Sequence, residues 1–164
     1  MIKPDHVIGI SDYKVSKAPS KLVTYALGSC VGIALYDDLT RVGGLAHIML
    51  PDSSIMLDQK KVDRMKFADT AIPDLIREVR MNGANVARLK AKIVGGANLF
   101  QRSGTSSVSN IGDRNVEMVK NLLATQGIEL IAEDTGKNFG RTLYFDLATG
   151  DVLIKSLDKD MKSI

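Results

Sequence analysis

The sequence holds a single cysteine, Cys30, in 164 residues. That scarcity excludes an internal disulfide and every cysteine-rich zinc site, and it fits a reducing compartment in which the thiol stays free for chemistry. Aromatic residues are also few, with four Phe, four Tyr and no Trp. The densest basic run, Lys60, Lys61, Arg64 and Lys66, shares its segment with Asp58 and Asp63, and the net charge is only +3. A nucleic-acid surface, which would need a longer basic stripe with interleaved aromatics, is therefore not expected. A solvated loop or contact with an acidic protein remains. No apolar stretch approaches the roughly eighteen residues of a membrane-spanning helix, so no membrane insertion is expected. Met1 to His6 carries Asp5 and no apolar core, unlike a secretory signal, and a cytoplasmic location is expected. Gly95-Gly96 has no spaced third glycine opening a helix and no following Gly-Lys-Ser/Thr, which points to a tight turn instead of a nucleotide loop. There is no repeat of fixed period and no low-complexity linker.

What the chain does have is enough apolar content, 45% hydrophobic with 25% charged residues, for one compact core. A single domain over residues 1–157 is expected, with 158–164 as a frayed tail. Strands are expected at Leu22 to Leu27, Val31 to Tyr36 and Leu45 to Leu50, with a turn at Asp37-Asp38-Leu39-Thr40. Ala68, Ile72, Leu75, Ile76 and Val79 recur at helical spacing, and Asn82-Gly83 supplies a left-handed stop. Pro73 means that the regular helix either starts near Ile72 or is kinked there. A strand at Ala91 to Val94 leads into Gly95-Gly96-Ala97-Asn98-Leu99-Phe100 and a polar, mobile loop over Ser103 to Ser107. Asn110 and Asp113 cap a second helix with the apolar face Val116, Val119, Leu122 and Leu123, ending before Gly127. Strands follow at Ile128 to Ala132, Arg141 to Asp146 and Val152 to Lys155. This order lacks the strand–helix alternation of a parallel doubly wound sheet, so an α+β fold is expected.

Cys30 sits in Thr24-Tyr25-Ala26-Leu27-Gly28-Ser29-Cys30-Val31-Gly32, among small residues. His47, in Gly43-Gly44-Leu45-Ala46-His47-Ile48-Met49-Leu50-Pro51, is one of two histidines; the other, His6, reads as an exposed bystander near the terminus. A thiol with a pKa of about 8.5 needs a neighbouring cation or oriented N–H groups to ionise at neutral pH. His47 is the candidate cation, and the N–H of Cys30 or Ser29 is the candidate donor to an oxyanion. Thr24, on the strand leading into the turn, offers its hydroxyl or carbonyl to orient the imidazole. Spacing alone leaves a bland alternative open, in which Cys30 is a small buried hydrophobe and His47 a satisfied core histidine.

At these residues the sequence resembles the CheD family of chemoreceptor glutamine deamidases. The resemblance is carried by Leu27 to Val31 and Ala46 to Pro51, then in order by Lys66 to Ile72, Gly95 to Phe100, Ile111 to Val116 and Ala132 to Gly136. It covers roughly Val7 to Lys155. It implies a catalytic Cys at Cys30, His at His47 and Thr at Thr24, with no metal and no organic cofactor. One departure is Lys137, where the family commonly has a second glycine; lysine would strain the turn if its φ is positive.

The resemblance implies a mixed β-sheet sandwich flanked by helices, like the cysteine-hydrolase fold of bacterial deamidating toxins. The implied activity converts selected glutamines of methyl-accepting chemotaxis receptors to glutamate with release of ammonia. Thiolate attack would form a thioester, and protonated His47 would protonate the leaving nitrogen. The implied partners are the cytoplasmic helical region of those receptors and the chemotaxis phosphatase CheC. A regulatory module that binds and stimulates CheC is the alternative, and hydrolysis of receptor methyl esters a third possibility. A redox role is disfavoured, since there is no resolving cysteine. A receptor helix calls for a shallow groove, with Ser53 to Arg64 and Gln101 to Ser109 as candidate borders.

Overall fold

The computed structural model describes residues 2–99, 110–157 and 159–164. Among the described residues the architecture is α+β, with two mixed five-stranded sheets, two α-helices and short 3-10 turns. In chain order the elements are β1 (His6–Ile8), β2 (Asp12–Lys17), β3 (Lys21–Leu27), β4 (Val31–Asp37), β5 (Val42–Ile48), α1 (Ala68–Met81), β6 (Lys90–Gly95), α2 (Ile111–Thr125), β7 (Glu129–Thr135), β8 (Arg141–Asp146), β9 (Val152–Ser156) and β10 (Lys162–Ser163). One sheet has the order β1-β3-β8-β9-β10, with β1 parallel to β3. The other has the order β2-β5-β4-β6-β7, with β7 parallel to β6.

Side-chain alternation on β4 and β5 shows how the layers stack. Val31, Ile33 and Leu35 of β4 and Ala46 and Ile48 of β5 pack with α1 and α2 in one core. Ala34 and Leu45, from the opposite faces of the same strands, pack with Leu22, Leu27, Leu143 and Phe145 of the other sheet in a second core. The sheet containing β4 and β5 is therefore the middle layer, and these two central strands, buried on both faces, read as nearly unbroken hydrophobic runs.

The helices depart from the sequence reading in detail. α1 begins at Ala68, ahead of Pro73, which lies inside it and deprives the Asp69 carbonyl of an intrahelical partner. It stops where expected, with Gly83 at φ 109 and the Ala84 N–H donating to the Val79 carbonyl at 3.0 Å. The cap expected for α2 does not form. Asn110 makes no side-chain cap bond, and the Asp113 carboxylate instead accepts from Asn98 Nδ2 at 2.9 Å. The deepest stripe of α2 is Gly112, Asn115, Val119 and Leu123, so a polar residue occupies a position that a purely apolar pattern passes over.

Residues 158–164 were expected to fray, but Lys162–Ser163 pairs with Leu153 and Ile154 of β9, and Ile164 N–H donates to the Val152 carbonyl at 2.9 Å. The exposed edge of β9 supplies this order, which a two-residue strand cannot announce by periodicity. The segment Ser53 to Arg64, one candidate border of the groove, is fastened at both ends. Ser53 donates through N–H and Oγ to Asp69, and Arg64 pairs in bidentate fashion with Asp74. The Gln101 to Ser109 segment, with the polar loop inside it, lies outside the described residues. Lys137 has φ 61, so the strain anticipated for a lysine in place of glycine is present.

The turn from β4 to β5 is secured by Asp37, whose side chain is fully buried. It accepts from Arg88 Nε and Nη2 at 2.9 Å each and from the Asn85 and Leu39 N–H groups. The Arg88 guanidinium holds this carboxyl far below its ordinary 3.8. A depressed carboxylate stabilises the fold above its unfolded pKa and loses that contribution as pH falls toward the folded one. Asp37→Ala should therefore lower the thermal unfolding midpoint by about 5 °C or more at pH 7. The difference from wild type should shrink below pH 3.8, as read by melts across a pH series.

Candidate active site

Cys30 ends the short turn between β3 and β4. β3 reaches that turn through a bulge: its pairing with β8 shifts register between Thr24 and Leu27, and Ala26 takes φ 57. The turn is then gripped by the Gly95-Gly96 segment. Gly96 N–H donates to the Cys30 carbonyl at 2.8 Å, and Ala97 N–H donates to the Gly28 carbonyl at 2.8 Å. Both glycines have positive φ, and a Cβ on Gly95 would sit 2.2 Å from the Cys30 oxygen. The glycine pair is a tight turn that allows backbone to touch backbone at the cysteine.

His47 lies on β5 directly opposite Gly32 of β4, two residues beyond Cys30. Opposed residues share a face, and residues two apart along a strand share it too. This face looks toward the other sheet, because a Cβ on Gly32 would meet side chains of Leu143, Leu27 and Thr24. There Thr24 Oγ1 lies 2.7 Å from His47 Nδ1 and 2.8 Å from the Ile8 carbonyl oxygen. Thr24 and His47 are fully buried, while Cys30 is partly open.

This geometry determines the imidazole tautomer. The Ile8 carbonyl can only accept, so it takes the one hydroxyl proton of Thr24. Thr24 Oγ1 must then accept from His47 Nδ1–H, which leaves Nε2 as a bare lone pair. His47 Nε2 is buried and has no hydrogen-bond partner among the described residues. A buried acceptor without a partner is costly in a purely structural histidine, which counts against the bland reading of His47.

The protonation states differ from those expected. Burial pushes His47 down from 6.5 to about 4, so it is neutral near pH 7. Burial raises the Cys30 thiol, an effect partly offset by the thiol's hydrogen bond with its own backbone N–H. The resting pair is therefore a neutral thiol and a neutral imidazole, not a thiolate facing a histidine cation. Neither the Ser29 nor the Cys30 N–H donates to a backbone carbonyl among the described residues, so both candidate oxyanion donors are open, and the Cys30 N–H is the one that also acts on the thiol itself.

His6 is set apart from this site, in β1 opposite Leu22. Two participants escape the sequence reading. The Ile8 carbonyl belongs to a three-residue strand, too short to show alternation. Asn115 is fully buried on α2, and its Nδ2 donates to the Ser29 and Met49 carbonyls at 2.9 Å each. Its helical spacing from Gly112 and Val119 was the available signal.

A nitrogen-detected NMR titration should show His47 as the Nδ1–H tautomer with a midpoint near pH 4. The unfolded chain binds this proton more readily, so stability should fall as pH drops from about 6.5 toward 4. A midpoint at or above 6.5 would contradict the buried neutral ring.

The profile of one family, described as "CheD chemotactic sensory transduction", matches residues 49–156. A "Probable chemoreceptor glutamine deamidase CheD" from Moorella thermoacetica is 53% identical over 167 residues, covering 100% of this chain and 98% of that protein. A protein of the same name from Desulforamulus reducens is 48% identical over 157 residues, covering 96% and 93%. Among solved structures, the Bacillus licheniformis hypothetical protein YfiH gives a TM-score of 0.48 at 16% identity. It covers 74% of this chain and only 49% of that one, and nothing below rests on it. The extent and level of identity to the first two relatives establish that the chain belongs to the CheD family.

Proposed function

We propose that this protein deamidates glutamine side chains of chemotaxis receptors, with Cys30 as nucleophile, His47 as proton carrier and Thr24 as the residue that orients the ring. The name shared by its relatives supports the reaction. The observation that carries the residue assignment is the hydrogen-bonded Thr24–His47 pair, which leaves a buried Nε2 without a partner among the described residues, on the face and strand pair that present Cys30.

The chemistry starts from neutral partners. As Sγ attacks the amide carbon, His47 Nε2 takes the thiol proton, the new C–S bond forms and the carbonyl π pair moves to oxygen. Cys30 N–H donates to that oxyanion. The imidazolium then protonates the amide nitrogen, the C–N bond breaks and ammonia departs, leaving a thioester. His47, neutral again, takes a proton from water as the water adds to the thioester. Collapse returns the proton to sulfur and releases glutamate. The sum is glutamine plus water giving glutamate plus ammonia. Throughout, the Thr24 hydroxyl accepts from Nδ1–H, which becomes a stronger donor when the ring is charged.

The reaction takes place in the cytoplasm, on the helical region of the receptor. Among the described residues no helix is long and apolar enough to cross a membrane. The competing reading, a module that acts through the phosphatase CheC, has no observation in its favour, and a pure adaptor would have no use for a buried imidazole nitrogen that finds no partner among the described residues.

With receptor fragments as substrate, peptide mass spectrometry should show a gain of about one dalton at particular glutamines, dependent on Cys30 as nucleophile. Cys30→Ala should abolish it while leaving the fold intact; conversion by that variant would refute the nucleophile. Thr24→Val keeps the side-chain shape but removes the acceptor, and should lower kcat by about ten- to a hundred-fold.

A further inference from the structure

Asn115 lies outside the trio of Cys30, His47 and Thr24, yet it reaches both strands that carry chemistry. From the first turns of α2 its side-chain amide donates one hydrogen bond to the carbonyl of Ser29, the residue before Cys30, and another to the carbonyl of Met49, two residues after His47. Both partners are carbonyls, so the amide orientation is unambiguous: Nδ2 faces them and Oδ1 faces away. Oδ1 is buried and unpartnered among the described residues, so the side chain accepts an unsatisfied acceptor while spending both donors on this one task.

We infer that Asn115 is a positioning residue that builds the oxyanion donor at Cys30 and sets the spacing of the two strands bearing Cys30 and His47. The argument is geometric. A peptide unit is planar and trans, so the N–H points opposite to the C=O of the same unit. The Ser29–Cys30 peptide contributes the Ser29 oxygen and the Cys30 N–H. Holding that oxygen toward α2 turns the N–H the other way, where it meets no backbone carbonyl among the described residues. The next peptide is held as well, through Gly96 N–H on the Cys30 oxygen. With both flanking carbonyls tied, the cysteine backbone cannot rotate its N–H away as charge develops on the substrate oxygen. The second bond, to Met49, ties the same side chain to the end of β5 and so to the strand of His47.

This inference rests on the deamidase reading for its kinetic consequences but not for its chemical one, and the test separates the two. Asn115→Ser and Asn115→Asp would be compared with wild type after thermal melts confirm folding. Two quantities are read: deamidation kinetics on receptor fragments, and the rate at which iodoacetamide alkylates Cys30 without receptor. Expected are a kcat at least about ten-fold lower with KM within about two-fold, and alkylation slowed by about ten-fold or more, as lost N–H support for sulfur and oxyanion demands. In a folded variant, alkylation that is unchanged or faster overturns the inference, as does a loss carried by KM alone. If wild type shows no deamidation, that reading fails while the alkylation comparison still decides the link from Asn115 to Cys30. If neither variant folds, wild type answers: the Asn115 side-chain amide NMR signals should shift on alkylation of Cys30, and unmoved signals overturn the inference.

Discussion

Thr24 has one hydroxyl proton, and the Ile8 carbonyl takes it; the protonation of His47 follows from that single hydrogen bond. The arrangement requires three strands from two sheets. β1 must lie parallel against β3 to bring the Ile8 oxygen alongside Thr24, and β5 must present His47 across the gap between the sheets. A carboxylate in place of the threonine would stabilise imidazolium and draw the ring toward a charged resting state. A hydroxyl already committed to a carbonyl accepts from the ring without adding charge, so the ring rests neutral and is ready to take a proton.

The same burial has opposite-looking but compatible effects on the two partners. It raises the thiol and lowers the imidazole, so the pair does not ionise before substrate arrives. An ion pair held in that largely buried gap would carry a desolvation penalty. In the proposed mechanism the proton moves from Sγ to Nε2 only as sulfur engages the amide carbon, which confines the charged state to the moment at which the Cys30 N–H and the substrate can share it. The sequence shows that a histidine and a cysteine are present but not that the histidine is fully buried. That burial is why the resting pair leans neutral, where composition suggests a thiolate.

Much of the fold was legible where a physical signal spanned enough residues. β3, β4, β6, β8 and β9 fall close to their apolar runs, and α1 and α2 follow their helical stripes, because each strand or helix face is long enough to show its period. β1 and β10 have three and two residues and owe their order to the neighbours they pair with, β3 and β9. β2 shows alternation only between exposed and half-buried positions, a weak pattern for an edge strand. Residue types at the site were legible as well: Cys30, His47 and Thr24 each lie on or beside a recognisable strand. The supporting groups were not, since one is a backbone carbonyl, which no sequence displays, and the other an asparagine inside a helix stripe.

The backbone around Cys30 leaves little freedom in the residues that surround it. Gly95-Gly96 must be glycine because the Cys30 oxygen and Val116 leave no room for a Cβ. Gly112 must be small for the matching reason, since a Cβ there would approach the Ala97 and Gly96 oxygens at 2.4 and 2.5 Å. Helix, glycine turn and cysteine turn thus lie in direct backbone contact, and Asn115 reaches past the glycine turn to the Ser29 carbonyl on the far side of it. The proposed oxyanion donor is one peptide N–H, and such stacking suits it, because a backbone dipole can be aimed only by fixing the backbone on either side of it. The helical layer is packed against the middle sheet for burial, and the small residues at its start turn that packing into alignment of the cysteine.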